Sequence, residues 1–225
     1  MKKISIAIDG PAASGKSTTA KLVAKKLNYL HIDTGAMYRA ITQKALRETI
    51  DAADEQQIVA LAQRCRIQLE PAENGNRLFL DGIDSTNDIR LPRVTSMVSL
   101  VSSYQGVRDI LVREQRRISA GGGVVLEGRD IGTVVLPYAE LKIFMIADVD
   151  ERAQRRKKQL ALAGIVADEK ILVKDIEERD KKDSTRQMSP LQKASDAIEL
   201  DTSNLTIEEQ VDFIVAKAQI IIKRA

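Results

Sequence analysis

The first chemistry in this chain lies in eight consecutive residues. Gly10-Pro11-Ala12-Ala13-Ser14-Gly15-Lys16-Ser17 fits G-x-x-x-x-G-K-[ST] at every position, with Thr18 directly after it. The glycines let the backbone curl so that several N–H groups face one anion. Lys16 brings a point charge to a phosphoryl group in transfer, and the Ser17 hydroxyl is suited to Mg2+. A helix starting at the loop would add the positive end of its dipole. Residues 10–18 are therefore read as the cradle for the phosphates of a nucleoside triphosphate.

Three further clusters bear on where the phosphate goes. In Asp33-Thr34-Gly35-Ala36-Met37-Tyr38-Arg39, Thr34 stands where a helix N-cap belongs, and Arg39 follows one turn on. Together they form an anion site close to the first, which points to an acceptor that is itself a phosphate. An ordinary capped helix with a solvated Arg is the plainer alternative. The second cluster, Glu127-Gly128-Arg129-Asp130, ends a buried strand, and in open α/β sheets ligands bind beyond the carboxyl ends of strands. A third set lies on charged helical sequence. Arg152, Arg155 and Arg156 share a face at i, i+3 and i+4, and Arg179, Asp183 and Arg186 recur at i, i+4 and i+7. Arginines so arranged suit a lid that closes over polyphosphate and excludes water.

The elements needed to hold these groups can be read from the pattern. An apolar run over 3–9 predicts a buried strand, and residues 16–27 carry apolar positions at helical spacing. A second strand is expected over 29–32, with a helix from about Ala36. Residues 66–70 and 77–81 alternate around Asn74-Gly75-Asn76, which predicts a hairpin inserted into the main pattern. Helices follow at about 91–102 and 105–119, then strands at 124–127 and 141–146. A charged helical stretch over 150–185 is broken near Ala163-Gly164. A last strand at 197–201 leads to a helix that opens on the capping box Thr206-Ile207-Glu208-Glu209. Alternating strands and helices imply a three-layer α/β/α fold around a parallel sheet.

Composition narrows the class. The chain has 225 residues, favouring one domain with subdomains. Its formal net charge of +3 with 30% charged residues describes a mixed surface rather than a polyanion-binding one. Trp is absent and aromatics are 3%, which argues against a base-stacking platform, so no nucleic-acid partner is expected. Cys65 is the single cysteine, which excludes a disulfide framework and fits a reducing, cytoplasmic setting. Asp9 and Gly10 interrupt the N-terminal apolar run too early for a secretion signal, and no stretch is long enough to span a membrane. His31, the only histidine, falls in a strand and is read as structural.

Taken in order, the Ile8-Asp9-Gly10-Pro11 approach to the loop, Asp33-Thr34-Gly35 with Tyr38-Arg39, the hairpin insertion and Val107-Arg108 make a distinctive set. It continues through Glu127-Gly128-Arg129-Asp130-Ile131-Gly132-Thr133 and through Glu178-Arg179-Asp180 to Asp183 and Arg186. Over nearly its whole length the chain resembles the bacterial cytidylate kinases, in the nucleoside monophosphate kinase family of P-loop proteins. The resemblance implies Mg·ATP as donor and CMP or dCMP as acceptor. It divides a single kinase domain into a core (1–34, 120–150, 190–225), an acceptor-binding segment (about 35–119) and a helical lid (about 151–186), in a monomer. Thr34, Arg39 and Arg129 would hold the acceptor phosphate, Tyr38 would belong to the same substrate site, and Ser99, Arg108, Asp130 and Arg186 would surround the cytosine. Arg179 with Asp183 would meet the sugar. Lys16, Arg129, Arg152, Arg156 and Arg179 would neutralise charge during transfer.

The chemistry of the base agrees. Cytosine presents an amino donor at C4 and an acceptor at N3, and Asp130 with Arg108 or Arg186 supplies the matching acceptor and donor. Other P-loop kinases, acting on AMP, UMP or shikimate, are the nearest alternative. A regulatory GTPase would need Asn-Lys-x-Asp, which does not occur.

Overall fold

The computed structural model describes residues 3–72, 75–162 and 164–224. They form two compact units, one of residues 3–29 and 122–224 and one of residues 30–121.

In the first unit the apolar run becomes β1 (Ser5–Asp9), buried along nearly its whole length. It is flanked by β6 (Val124–Gly128) and β7 (Leu141–Ile146), and β8 (Ile198–Asp201) extends the sheet beyond β7. The pairings β1–β6, β1–β7 and β7–β8 are all parallel, with Ile8 opposite Glu127 and Asp9 opposite Gly128. Within this unit the strand order is β6-β1-β7-β8, and β2 (Leu30–Asp33) opens the second unit. Because these pairs are parallel, the carboxyl ends of β1, β6, β7 and β8 fall on one edge, where ligands of such sheets collect. The predicted α/β class with a parallel sheet is therefore correct.

The sheet is held by apolar packing at strand period on one side and helix period on the other. Ile4, Ile6 and Ile8 alternate onto one face of β1 and meet Ala20, Val23 and Ala24 of α1 (Lys16–Leu27). Val211, Ile214 and Ala218 of α8 (Ile207–Arg224) close the same cluster. Helix α1 begins directly at the glycine loop, at its Gly15 N-cap, and ends at Asn28 in the left-handed conformation. The capping box at α8 forms as read, with Glu209 N donating to the Thr206 hydroxyl and Thr206 N to the Glu209 carboxylate. The charged stretch divides into α6 (Val149–Leu162) and α7 (Glu169–Thr185). Of the expected break at Ala163-Gly164, Ala163 lies outside the described residues.

The second unit carries α2 (Thr34–Arg47), α3 (Glu55–Arg64), a three-stranded sheet, α4 (Pro92–Val101) and α5 (Gln105–Ser119). The sheet joins β3 (Ile67–Ala72), β4 (Gly75–Leu80) and the two-residue β5 (Ile83–Asp84), in that order and antiparallel. The expected turn at Asn74-Gly75-Asn76 is corrected: Gly75 pairs with Ala72 and Asn76 with Pro71, so both are strand residues. Asn74 itself lies outside the described residues. Helix α3 has no counterpart in the sequence reading. Its signal is present in Asp54, whose carboxylate caps Gln57 N at 3.0 Å, and in the buried Ile58, Leu61 and Ala62.

Gly10 shows why the loop after β1 tolerates no side chain at its start. Its φ is +149°, and a Cβ there would stand 2.1 Å from the Met145 carbonyl oxygen of β7. Gly10→Ala should cost about 1–3 kcal/mol from the backbone conformation alone, with the clash added. Urea unfolding measures it, and an unchanged midpoint would mean that the loop can withdraw from β7.

Candidate active site

In the first unit the glycine loop closes around its own lysine. Lys16 Nζ donates to the Pro11 carbonyl at 2.5 Å and to the Ser14 hydroxyl at 3.2 Å, and Lys16 is buried. Ala13 and Gly15 take positive φ, 59° and 92°, and this gives the loop its curl. Burial first, then the Arg129 guanidinium, presses the Lys16 pKa well below its ordinary value, and Glu127 and Asp9 oppose the shift. The Arg179 charge acts in the same direction as Arg129. An anion arriving here meets a cation that has already lost its water, where attraction is strongest.

Ser17 and Thr18 are exposed at the start of α1. The Ser17 hydroxyl donates to Glu127 Oε2 at 2.6 Å, and Glu127 is buried at the end of β6. A hydroxyl backed by a carboxylate is a hard oxygen donor set. It fits Mg2+, which keeps several waters and takes its other ligands from phosphate.

Arg129 and Asp130 follow β6. Arg129 Nε donates to Asp183 Oδ2 at 2.7 Å, and Arg186 Nη2 lies 3.6 Å from Asp130 Oδ1. Asp183 is in the last turn of α7, and Arg186 is its C-cap rather than part of the helical face expected for it. The three arginines of α6 also diverge. Arg152 is buried and donates to the Ala12 carbonyl at 3.2 Å, while Arg155 donates to the hydroxyl and carbonyl of Thr202. Arg156 donates to Gln159 one turn along at 2.7 Å. The three lie on one helix at the spacing read from the sequence, but their side chains take different partners. The buried loop on one side and β8 on the other draw neighbouring residues apart.

In the second unit the anion site differs in one respect from its reading. Asp33, not Thr34, is the N-cap of α2: it is extended (φ −79°, ψ 95°) and its carboxylate accepts Ala36 N at 2.9 Å. Thr34 is the first helical residue and is buried. Asp33 Oδ2 also lies 2.7 Å from Arg39 Nη2 and 3.6 Å from Arg90. Burial works to raise the Asp33 pKa, but Arg39, Arg90, His31 and the Ala36 N–H outweigh it and hold it below its ordinary value. His31 is half-buried in β2. Tyr38 and Arg108 are buried, with the guanidinium 5.7 Å from the ring centroid, and Arg108 Nη1 donates to Ser102 O at 3.3 Å. Ser99 lies on the half-buried side of α4. Cys65 is partly buried and its thiol is pushed up to about 11 by desolvation, so it is a poor nucleophile.

Sequence reasoning gave no role to Asp9, Glu127 or Asp180. Asp9 and Glu127 both terminate apolar strands at the ligand edge of the sheet, a place where a buried carboxylate needs a reason. Asp9 accepts the Ile131 and Gly132 N–H groups at 2.8 and 2.7 Å and so fixes the five-residue helix Ile131–Val135 directly after Arg129-Asp130.

A parallel α/β sheet whose first strand runs through a closed glycine loop into α1 defines a P-loop nucleotide-binding protein. A family model described as cytidylate kinase matches residues 6–220. The cytidylate kinase of Enterococcus faecalis (strain ATCC 700802 / V583) is 54% identical over 224 residues, 100% of this chain and 97% of that protein. The chain belongs to the cytidylate kinase family, and so is a nucleoside monophosphate kinase. The cytidylate kinase of Bacillus subtilis (strain 168) is 49% identical over 214 residues, 95% of this chain and 96% of that one. Among solved structures, a shikimate kinase from Bacteroides thetaiotaomicron gives a TM-score of 0.49 at 12% identity, covering 98% of each chain.

Burial raises the Asp9 pKa from 3.8 to about 6, ahead of the two N–H donors that lower it. A carboxyl raised on folding stabilises most below its unfolded pKa, and that contribution is lost as pH climbs through 6. The shift corresponds to about 3 kcal/mol. The stability of the protein relative to Asp9→Asn should therefore fall by about that amount between pH 4 and pH 7 in urea unfolding. A difference independent of pH would place Asp9 in a different environment.

Proposed function

We propose that this chain transfers the γ-phosphoryl group of ATP to CMP or dCMP, giving ADP and CDP or dCDP. The observation that carries the reading is the closed glycine loop around buried Lys16, with Arg129, Arg152 and Arg179 of the same unit supplying cationic charge. The attacking oxygen belongs to a phosphate that is already anionic near neutral pH, so no general base is required. Catalysis then rests on alignment and on neutralising charge as it spreads over the transferred group.

In this reading Lys16, Arg129, Arg152, Arg156 and Arg179 carry the charge, and residues 10–18 hold the donor phosphates. Ser17, with Glu127 behind it, would hold Mg2+, which would supply positive charge at the donor phosphates. Thr34, Arg39 and Arg129 receive the acceptor phosphate, Tyr38 contributes to the substrate site, and Arg179 with Asp183 receives the sugar. Asp130 with Arg186, and Ser99 and Arg108 from the second unit, read the cytosine. Among the described residues no helix is long and apolar enough to cross a membrane. A cytoplasmic monomer acting on small nucleotides, with no nucleic-acid partner, completes the proposal.

A panel of CMP, dCMP, UMP, AMP, GMP and shikimate, each with ATP, tests it. CMP or dCMP should give the highest kcat/KM, and good turnover of another acceptor with none of CMP would overturn the reading. Asp130→Asn addresses the base directly. A carboxylate facing the uracil C4 carbonyl is left without a donor, whereas an amide can donate to it. The kcat/KM preference for CMP over UMP should drop by about tenfold or more in this variant. An unchanged ratio would remove Asp130 from base reading.

A further inference from the structure

Asp180 stands on α7 immediately after Arg179, with a side chain 19% exposed. Its Oδ1 accepts the Ala12 N–H at 3.1 Å, and its Oδ2 accepts from Arg152 Nη1. The same Arg152 nitrogen donates to the Ala12 carbonyl at 3.2 Å. Both backbone polar groups of Ala12, inside the glycine loop, are thus taken by side chains from the two charged helices. Ala12, Arg152 and Asp180 form a closed ring in which each member bonds to the other two.

The placing of a negative charge here calls for a cause. A carboxylate beside a polyphosphate cradle opposes the binding of that anion, and solubility of α7 would be served equally well by an exposed Asp. What the carboxylate supplies is two acceptors at a fixed spacing, one for the loop amide and one for a guanidinium that is only 8% exposed. Without Asp180 the Arg152 charge would be buried against a carbonyl alone, an arrangement with little orienting power. Asparagine has the same shape but one acceptor and one donor. With its carbonyl oxygen in one of the two oxygen positions, its NH2 group faces the other donor, so the present geometry serves either Ala12 N–H or Arg152.

We propose that Asp180 is a positioning residue for phosphoryl transfer: it fastens α7 to the phosphate loop at Ala12 and aims Arg152 at the transferred group. The proposal rests on the catalytic reading of Arg152 given above. It adds that the lid helices and the loop are set by one shared carboxylate. Arg152 then needs no reorientation when charge develops, which is the condition for electrostatic stabilisation of a transition state.

The test is steady-state kinetics with ATP and CMP for the wild type, Asp180→Ala, Asp180→Asn, Arg152→Ala and the Asp180→Ala/Arg152→Ala pair, with thermal unfolding of each. Asp180→Ala should lower kcat about ten- to hundredfold with both KM values nearly unchanged, the signature of misalignment rather than lost binding. Asp180→Asn should fall between it and the wild type. The double variant should be no more than about threefold slower than the worse single, because both substitutions break one ring. Wild-type kcat in both Asp180 variants, or losses that multiply in the double, would overturn the proposal while leaving Arg152 catalytic. Wild-type kcat in Arg152→Ala would overturn the reading of Arg152 and this proposal with it. If Asp180→Ala shows no cooperative unfolding transition, the isosteric Asp180→Asn and its pair with Arg152→Ala decide between the same outcomes.

Discussion

Removing the Lys16 ammonium from water is the act on which the rest of the first unit depends. A cation at that depth needs compensation, and the fold supplies it from several directions: the Pro11 carbonyl and Ser14 hydroxyl by direct bonds, Glu127 and Asp9 by charge. Each of those groups in turn needs a holder. Glu127 accepts the Ser17 hydroxyl, and Asp9 takes the first two amides of the short helix after β6. The parallel register that sets Ile8 beside Glu127 and Asp9 beside Gly128 makes this possible, since it brings both carboxylates to one edge of the sheet.

A second layer of charge is arranged around the first. Arg129 is matched by Asp183, Arg186 by Asp130, and Arg152 by Asp180, so arginines near the phosphate loop have carboxylates within reach. A site made only of cations would repel itself in the absence of substrate. Pairing these three guanidinium groups offsets that repulsion and leaves them oriented.

The features legible in the sequence were those in which one residue type is demanded by local geometry. The glycine loop, the strand before it and helix α1 after it could all be read because Gly10 and Gly15 occupy conformations that other residues resist. The chemical argument about the base set Asp130 with Arg108 or Arg186 against a cytosine, and Arg186 Nη2 lies 3.6 Å from Asp130 Oδ1. What could not be read depended on distance in the chain. Nothing local marks Asp180 as the partner of Ala12, and nothing local separates Arg152 from Arg155 and Arg156, which share its spacing and differ only in what lies opposite. The N-cap of α2 was misplaced by one residue because Asp33 and Thr34 are both good caps. The choice fell to Asp33, whose carboxylate also pairs with Arg39 and Arg90.

The position of β1 bears on how the chain is made. It precedes the second unit in the chain, yet both of its partners, β6 and β7, come from beyond the whole of that unit. Until Val124 and the residues after it emerge, this strand has no neighbour and the glycine loop no wall to curl against. The second unit, by contrast, is one continuous stretch of chain and can form its three-stranded sheet while synthesis continues. Closing so long a loop is slow, and the waiting strand is a site for wrong pairing. The strands that flank the glycine loop's own strand are therefore made only after the second unit is complete.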